Sequence, residues 1–447
     1  MLQLAQQFRT AWNESSLLAV TTWCLVALST FFGPLDISSD AETMTVGLDG
    51  QVACKLLIAG MAFAVGAYGV LTSASVRQTM TTLPPVMLLT ILFLVLLATP
   101  IAISGASMAV ALINVAYVAF IIVALFTLGL RGTVTAILVG VTATMTLALF
   151  FYVFVPKYGL FPELLADGLV VNRMSGTAHP NAVGRAMVLG GLATLYLVRK
   201  GTLQLNVAIP LAACFALAAY LAWSRTALVA GAFGMCILFL DRLTSRLGVA
   251  AIALVALMGV VGVTSIYATG QEDHFVGKIL AKVSKSGDAE EITSGTGRSE
   301  IWAKGISLIA NRPIIGHGFN AAPILMLEFS QATHNAVLHA TLAGGVIAGA
   351  LMACLLLWNV FLIFGSEHLL LRAFSAFTVL SCLTEDTVLE TFPGPCTIVW
   401  LMCIFYPVLV DATQIDMIEA ERSQRDQAEA TQAESGFFGR PGISGTT

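Results

Sequence analysis

Residues 84–155 read PPVMLLTILFLVLLATPIAISGASMAVALINVAYVAFIIVALFTLGLRGTVTAILVGVTATMTLALFFYVFV, and Arg131 is the only charged side chain among them. A helix crosses the hydrocarbon core of a bilayer with ~20 mainly apolar residues. The stretch is therefore read as three spans, 84–103, 107–130 and 132–155, with the arginine at a turn. The whole chain has the same character. Of its 447 residues 57% are hydrophobic and 11% charged, against about 25% charged in soluble domains. Too few polar residues exist to cover a water-facing surface, so lipid must cover most of it. The net charge of −4 argues against a nucleic-acid partner.

Working outward in both directions, further spans are expected at 16–33, 55–72, 179–198, 204–222, 226–241, 247–267, 334–365, 371–388 and 395–411. The expected fold is an all-α polytopic membrane protein of about 12 transmembrane helices, with one large outer loop containing short helices. Arg9 precedes the first apolar run, but no small-x-small cleavage pattern follows, and the run reads as a retained span. Six cysteines fall inside apolar runs as small buried hydrophobes. Cys54 and Cys396 fall near predicted outer ends, where a disulfide is one alternative to free thiols. No CxxC metal pattern is present.

The positive-inside rule orients the chain. With the N-terminus in the cytoplasm, Arg77, Arg131, Arg199, Lys200, Arg242, Arg246 and Arg372 fall inside, while Asp36, Asp40, Glu42, Asp49, Glu385, Asp386 and Glu390 fall outside. The chain divides into spans one to nine over 1–267 (with an outer loop at 156–178), a large outer loop over 268–333, spans ten to twelve over 334–411, and a polar cytoplasmic tail over 412–447. Both termini are placed in the cytoplasm. Loops as long as the second are usually functional or disordered. Within it, Ile301, Trp302, Ile306 and Ile309 form a helical stripe that Asn311-Arg312-Pro313 stops.

Arg173, Arg185, Arg225, Arg298 and Arg312 are on the outer side, against the rule. Charge at a membrane boundary is costly and marks function by default, although snorkelling to lipid phosphate is the alternative, favoured for Arg312. Three spans start at the outer face: at His179-Pro180-Asn181, at Ser224-Arg225, and at Thr333-His334-Asn335, where Thr333 can cap. Helix N-termini attract anions through free N–H groups and the dipole. Were the three to converge, they would form a cationic pocket for a phosphate or diphosphate. Arg298 and Trp302 are four apart and share a helix face. His334 is the strongest proton-accepting candidate; His339 reads as a packed polar residue within its span.

These residues fall in an order that resembles the O-antigen ligase and polysaccharide polymerase superfamily of bacterial inner-membrane glycosyltransferases. The matching motifs are Arg173-x-x-Gly176, His179-Pro180-Asn181-x-x-Gly184, Ser224-Arg225, Arg298-Ser299-Glu300-Ile301-Trp302, Pro313 with Gly316-x-Gly318-x-Asn320, His334-Asn335-x-x-Leu338 and Gly344-Gly345, covering about residues 170–350. The resemblance implies a multi-pass protein of the bacterial inner membrane. Its substrate would be an undecaprenyl-diphosphate-linked oligosaccharide at the periplasmic leaflet, and its reaction attack by an acceptor hydroxyl, with lipid diphosphate leaving. Neither cofactor nor metal is implied. Partners would include a flippase and a chain-length regulator. Arg225 and Arg298 would bind the diphosphate, and His334 would activate the hydroxyl or bind phosphate. Trp302, Asn320, Asn335, Gly316 and Gly318 would position substrate groups, supported by Arg173, His179 and Asn181. A repeat-unit polymerase is favoured over a ligase to lipid A-core, with protein O-glycosylation a third option. A secondary transporter would also suit twelve spans, but acidic residues are nearly absent from them and no repeat is evident.

Overall fold

A computed structural model describes residues 17–36, 50–73, 76–78, 85–98, 105–164, 170–239, 298–319, 321–326 and 332–409. Helices α1 (Leu17–Phe32), α2 (Gly50–Thr72), α3 (Pro85–Ala98) and α4 (Gly105–Phe154) are followed by a short strand pair. Then come α5 (Pro180–Arg199), α6 (Leu205–Ala222), α7 (Arg225–Phe239), α8 (Arg298–Asn311), α9 (Ala336–Gly365) and α10 (Leu369–Thr384), and α11 (Pro395–Leu409). Five stretches are long and apolar enough to cross a membrane: α2, Leu112–Phe154 within α4, α5, α6 and α9; α1, α3, α7, α10 and α11 are shorter apolar helices. The chain is a mainly helical, polytopic membrane protein.

The expected twelve spans do not map singly onto these helices. Spans 107–130 and 132–155 are joined in α4, which is broken at Gly129 (φ 63, ψ −179). Its apolar part has 43 residues, and at ~1.5 Å per residue that is enough for two crossings. The expected span 247–267, the loop up to residue 297 and the tail 412–447 lie outside the described residues. All eight cysteines are free.

Helix α4 packs against α1, α2, α3 and α5, while α10 packs on α5, α7 and α9, α5 packs on α7, and α3 joins α9. α11 is the most enclosed element: Trp400 and Phe405 are fully buried, and the Trp400 ring meets Phe93 of α3 edge-on at 6.5 Å. Exposed large apolar side chains, among them Phe63 and Leu71 on α2 and Ile209 and Tyr220 on α6, mark surfaces that only lipid can cover.

The segment 156–178, expected as an outer loop, contains structure that its sequence does not announce. Leu160–Leu164 pairs antiparallel with Val170–Met174, placing Phe161 opposite Arg173. Neither LFPEL nor VVNRM alternates apolar and polar residues as a half-buried strand would, so the all-α expectation misses this hairpin. In α8 the stripe also shifts. Ile301, Leu308 and Ile309 pack toward Ala322, Met326 and Leu342, whereas Ile306 is exposed. A Cβ on Gly305 would stand 3.3 Å from Leu338, so the bare glycine lets α8 approach α9.

The two glycine motifs downstream explain each other. α9 is interrupted at Gly345 (φ 79, ψ −178), which frees backbone groups that a continuous helix would pair. The segment Pro313–Gly318 lies across the break and pairs with them. His317 N–H donates to Leu342 O (2.8 Å), Gly318 N–H to Ala343 O (2.8 Å), and Val346 N–H to Pro313 O (2.7 Å). A Cβ on Gly345 would lie 2.0 Å from Ile314 O, and one on Gly316 2.4 Å from Ala343 O. Gly345→Ala is therefore expected to destabilise the protein by about 2 kcal/mol or more. A thermal melt of the detergent-purified chain tests this against Gly60→Ala, where an added Cβ meets nothing within 4 Å.

Candidate functional site

Glu385 follows the last turn of α10, and its side chain is only 5% exposed. Residues from three other helix starts point at its carboxylate. Arg298, the first residue of α8, donates from Nη2 to Oε1 at 3.0 Å. Asn181, in the first turn of α5, donates from Nδ2 to the same oxygen at 3.1 Å. His334, just before α9, places Nδ1 2.9 Å from Oε2, and Arg185 Nη1 lies 3.7 Å from that oxygen. Burial alone would push the carboxyl up. The hydrogen bond with His334 and the charges of Arg185, His334 and Arg298 outweigh it, holding Glu385 well down, at about 2. The buried anion thus organises cationic groups that would otherwise repel one another.

Around this centre the sequence-derived candidates divide by what they touch. Arg173 is buried in the hairpin, and its donors are directed at protein groups: Nε to Ala222 O, Nη1 to Glu163, and Nη2 to Asn181 Oδ1 (2.7 Å) and Trp223 O. It locks the hairpin to the turn before α7 and orients Asn181, whose amide then faces Glu385. His179 caps α5, its Nδ1 accepting from Asn181 N–H at 3.3 Å, and its ring meets Phe161 at 5.1 Å.

Asn335, rather than Thr333, caps α9. Its Oδ1 accepts from Leu338 N–H at 2.9 Å, and its Nδ2 donates to Leu383 O in the last turn of α10. Thr333 instead donates from its hydroxyl to Asn335 O. The cap shifts because His334 adopts φ 50, a left-handed conformation that is costly for a residue with a Cβ and is concentrated at functional sites. Trp302 Nε1–H donates to Thr333 O at 3.0 Å, pinning α8 against this strained turn. Gly316 and Gly318 belong to the backbone pairing across the α9 break. Asn320 lies outside the described residues.

The starts of α5, α7 and α9 are brought to one end of the bundle. A Cβ on Gly184 of α5 would stand 2.6 Å from Ser224 Cβ at the start of α7, so only glycine permits that approach. Arg225 is half-buried at the head of α7, two residues after Trp223, which is itself left-handed at φ 46. The arginine and histidine nearest the carboxylate remain partly open, with side chains 20% exposed for Arg298 and 23% for His334. They are the most exposed members of the ion cluster. Among the described residues, no group of three or more His, Cys, Asp or Glu side chains is placed to hold a metal ion.

The sequence reading left Glu385 out of the site and gave Arg185 no role there, although Arg185 was noted as a charge within an apolar run. For Glu385 the only signal was its place among acidic residues following a span, which the orientation rule had already used.

A polytopic membrane protein with arginines and a histidine gathered at helix starts around a buried glutamate is the class that this geometry defines. The model of the family described as O-antigen ligase matches residues 210–353, which upholds the resemblance to the O-antigen ligase superfamily. The General O-oligosaccharyltransferase of Acinetobacter baylyi is 27% identical over 197 residues, which is 40% of this chain and 34% of that protein. The chain thus aligns with about a third of that relative's length. The family match contains Arg225, Arg298 and His334; Glu385, Arg173 and Asn181 fall outside it.

Proposed function

We propose that this protein is a glycosyltransferase of the periplasmic face that moves a glycan from undecaprenyl diphosphate onto an acceptor hydroxyl. The observation that carries the reading is the pair of partly open groups, Arg298 and His334, held on the buried Glu385 carboxylate. With Nδ1–H given to Glu385, Nε2 is the imidazole nitrogen able to take a proton, and the carboxylate stabilises the imidazolium that results. The acceptor oxygen would attack the anomeric carbon as His334 takes its proton. The bond from that carbon to the phosphate oxygen would break, leaving the lipid diphosphate with the electron pair. Planar, multidentate guanidinium groups suit this leaving group, and Arg298 and Arg225 are assigned to it. The reaction needs no redox change and no nucleotide sugar.

Within this reading, a polymerase extending repeat units of an exopolysaccharide or O-antigen is favoured. The alternatives are a ligase that delivers the chain to lipid A-core, and transfer to a protein hydroxyl, in line with the name of the oligosaccharyltransferase relative. The lipid-linked glycans of a deletion strain decide among them. Single repeat units accumulate if a polymerase is lost. Long lipid-linked chains accumulate, with bare lipid A-core, if a ligase is lost; loss of glycan from protein alone identifies protein as the acceptor. Unchanged glycans in every fraction overturn the glycan-transfer reading.

Arg225→Lys tests the diphosphate assignment. Lysine retains the charge but not the planar fork, and transfer by purified protein in vesicles is expected to fall about tenfold or more, on the order of 1.4 kcal/mol. Full activity with lysine would show that charge suffices.

A further inference from the structure

A second polar cavity adjoins the Glu385 cluster. It encloses about 300 Å³, at the lower end of the range for small-molecule sites. Lys55 from α2, Arg185 from α5, Phe319 from the segment after α8, His339 from α9, and Asp386 and Glu390 from the turn before α11 contribute to its wall. With Asp36 from the segment after α1, it is built from six parts of the chain at one end of the bundle. Arg185 is shared with the site already described, since its Nη1 faces Glu385 while its side chain also borders the cavity.

Two buried groups on this wall are incompletely satisfied. Arg185 is 7% exposed, and its Nε–H has no hydrogen-bond partner among the described residues. His339 is 6% exposed, and its Nδ1 lies 3.3 Å from Asp386 Oδ2 without the alignment of a hydrogen bond. Buried donors left without a partner cost about 1–3 kcal/mol each, so a polar ligand reaching them would recover that cost.

The lining selects the chemistry of that ligand. Asp386 and Glu390, with Asp36 beside them, repel a phosphate, while Lys55 and Arg185 repel a metal cation. A neutral polyhydroxylated molecule meets both sets, because each hydroxyl donates and accepts. Phe319 and Phe392 add apolar wall for the C–H face of a ring. Burial pushes Glu390 up to about 7, partly opposed by Arg185, so near neutral pH it can donate as well as accept.

We propose that this cavity is a saccharide subsite, holding one sugar residue of a glycan substrate beside the reacting centre through Arg185, His339, Asp386 and Glu390. The inference rests on the glycan-transfer reading and adds a subsite distinct from the diphosphate arginines. The sugar could belong to the donor glycan or to the acceptor; the shared chemistry is that of a pyranose.

The first arm of the test measures saturation-transfer NMR on the full chain in detergent, with the methyl glycosides of glucose, galactose and N-acetylglucosamine as probes. At least one glycoside is expected to take up saturation. Asp386→Asn and Phe319→Leu should each reduce its signal about fivefold or more, and Gly60→Ala should not. Two variants of different chemistry, each checked for an unchanged melting profile, separate loss of the subsite from loss of the fold. Absence of saturation for all three glycosides overturns the proposal, as does full signal in both folded cavity variants.

The second arm measures glycan transfer in vesicles carrying the lipid-linked donor. Asp386→Asn is expected to raise one KM about tenfold while kcat stays within about twofold. A raised acceptor KM assigns the cavity to the acceptor, and a raised donor KM assigns it to the donor glycan; no change in either overturns the proposal. If the wild-type protein transfers no glycan while the glycosides still bind in the cavity, the glycan-transfer reading has failed and sugar binding at the cavity has not.

Discussion

Glu385→Gln is expected to reduce glycan transfer by about a hundredfold or more and to lower stability by about 3 kcal/mol. The amide keeps the volume and removes the charge. Arg298, Arg185 and the imidazole of His334 then surround a neutral group, and one amide arm presents N–H donors to donors. Removing one partner of a buried ion pair is costly because the remaining charges are left uncompensated. The catalytic loss has a separate origin: without the carboxylate, nothing in the cluster fixes Nδ1 of His334 as the protonated nitrogen, and the strained φ of 50 at that residue loses a restraint. Glu385→Asp should retain more stability than Gln but still lose transfer, because a shorter side chain cannot reach all four partners. Melting curves and single-turnover transfer separate the two effects. Wild-type rates in a folded Gln variant would remove Glu385 from the mechanism.

The same residue sets a sign for pH dependence. Its carboxyl is held down at about 2 in the folded protein, below its ordinary value, so its contribution to stability is fully present above about 4.5 and is lost as pH falls through about 2. The cluster therefore stays intact throughout the neutral range, and any change in transfer rate between pH 5 and 8 arises elsewhere.

His334→Ala is expected to lower transfer by about 10²–10⁴-fold, the usual contribution of a positioned general base. The protein should remain inserted but lose some stability, because the buried Glu385 carboxylate is left without its His334 hydrogen bond. Arg298→Ala is expected to be comparably damaging for a different reason: it removes charge stabilisation of the leaving group and leaves Glu385 short of a partner. The two losses differ in a rescue experiment. Added imidazole should restore part of the rate in the histidine variant and nothing in the arginine variant. Normal polymer in cells expressing either variant would refute the assignment of that residue.

Much of this was legible in the sequence. With 11% charged residues a membrane solution is forced whatever the topology, because the water-facing surface cannot be made. The misplaced arginines also stand out locally: a charge in or beside an apolar run has a cost readable from its neighbours. Arg298 and Trp302 were paired through their four-residue spacing; Trp302 bonds Thr333 before α9, and Arg298 bonds Glu385 after α10. What the sequence could not supply was the division of labour. Arg173, Asn181 and Asn335 stand in motifs like that of His334, yet Arg173 bonds Glu163, Asn181 and backbone, Asn335 caps α9, and of the three Asn181 is the one that reaches Glu385.

The opening run of residues 84–155 is a case in both directions. Its hydropathy determined that the chain lies in a membrane, since hydropathy is additive along the chain and needs no partner. Whether α4 is one helix or two spans depends on Gly129, whose unusual φ glycine permits but does not dictate. The break in α9 at Gly345 has the same status, because the Pro313–Gly318 segment that pairs with its freed groups arrives from another part of the chain. Glu385 lies furthest from sequence reading. Its partners His334, Arg298 and Asn181 are 51, 87 and 204 residues away. A carboxylate after a span looks the same in sequence whether it faces water or a ring of cations. The pKa and role of such a group follow from which charges lie within a few ångströms of it, and only the tertiary placement of the starts of α5, α8 and α9 around the end of α10 decided that.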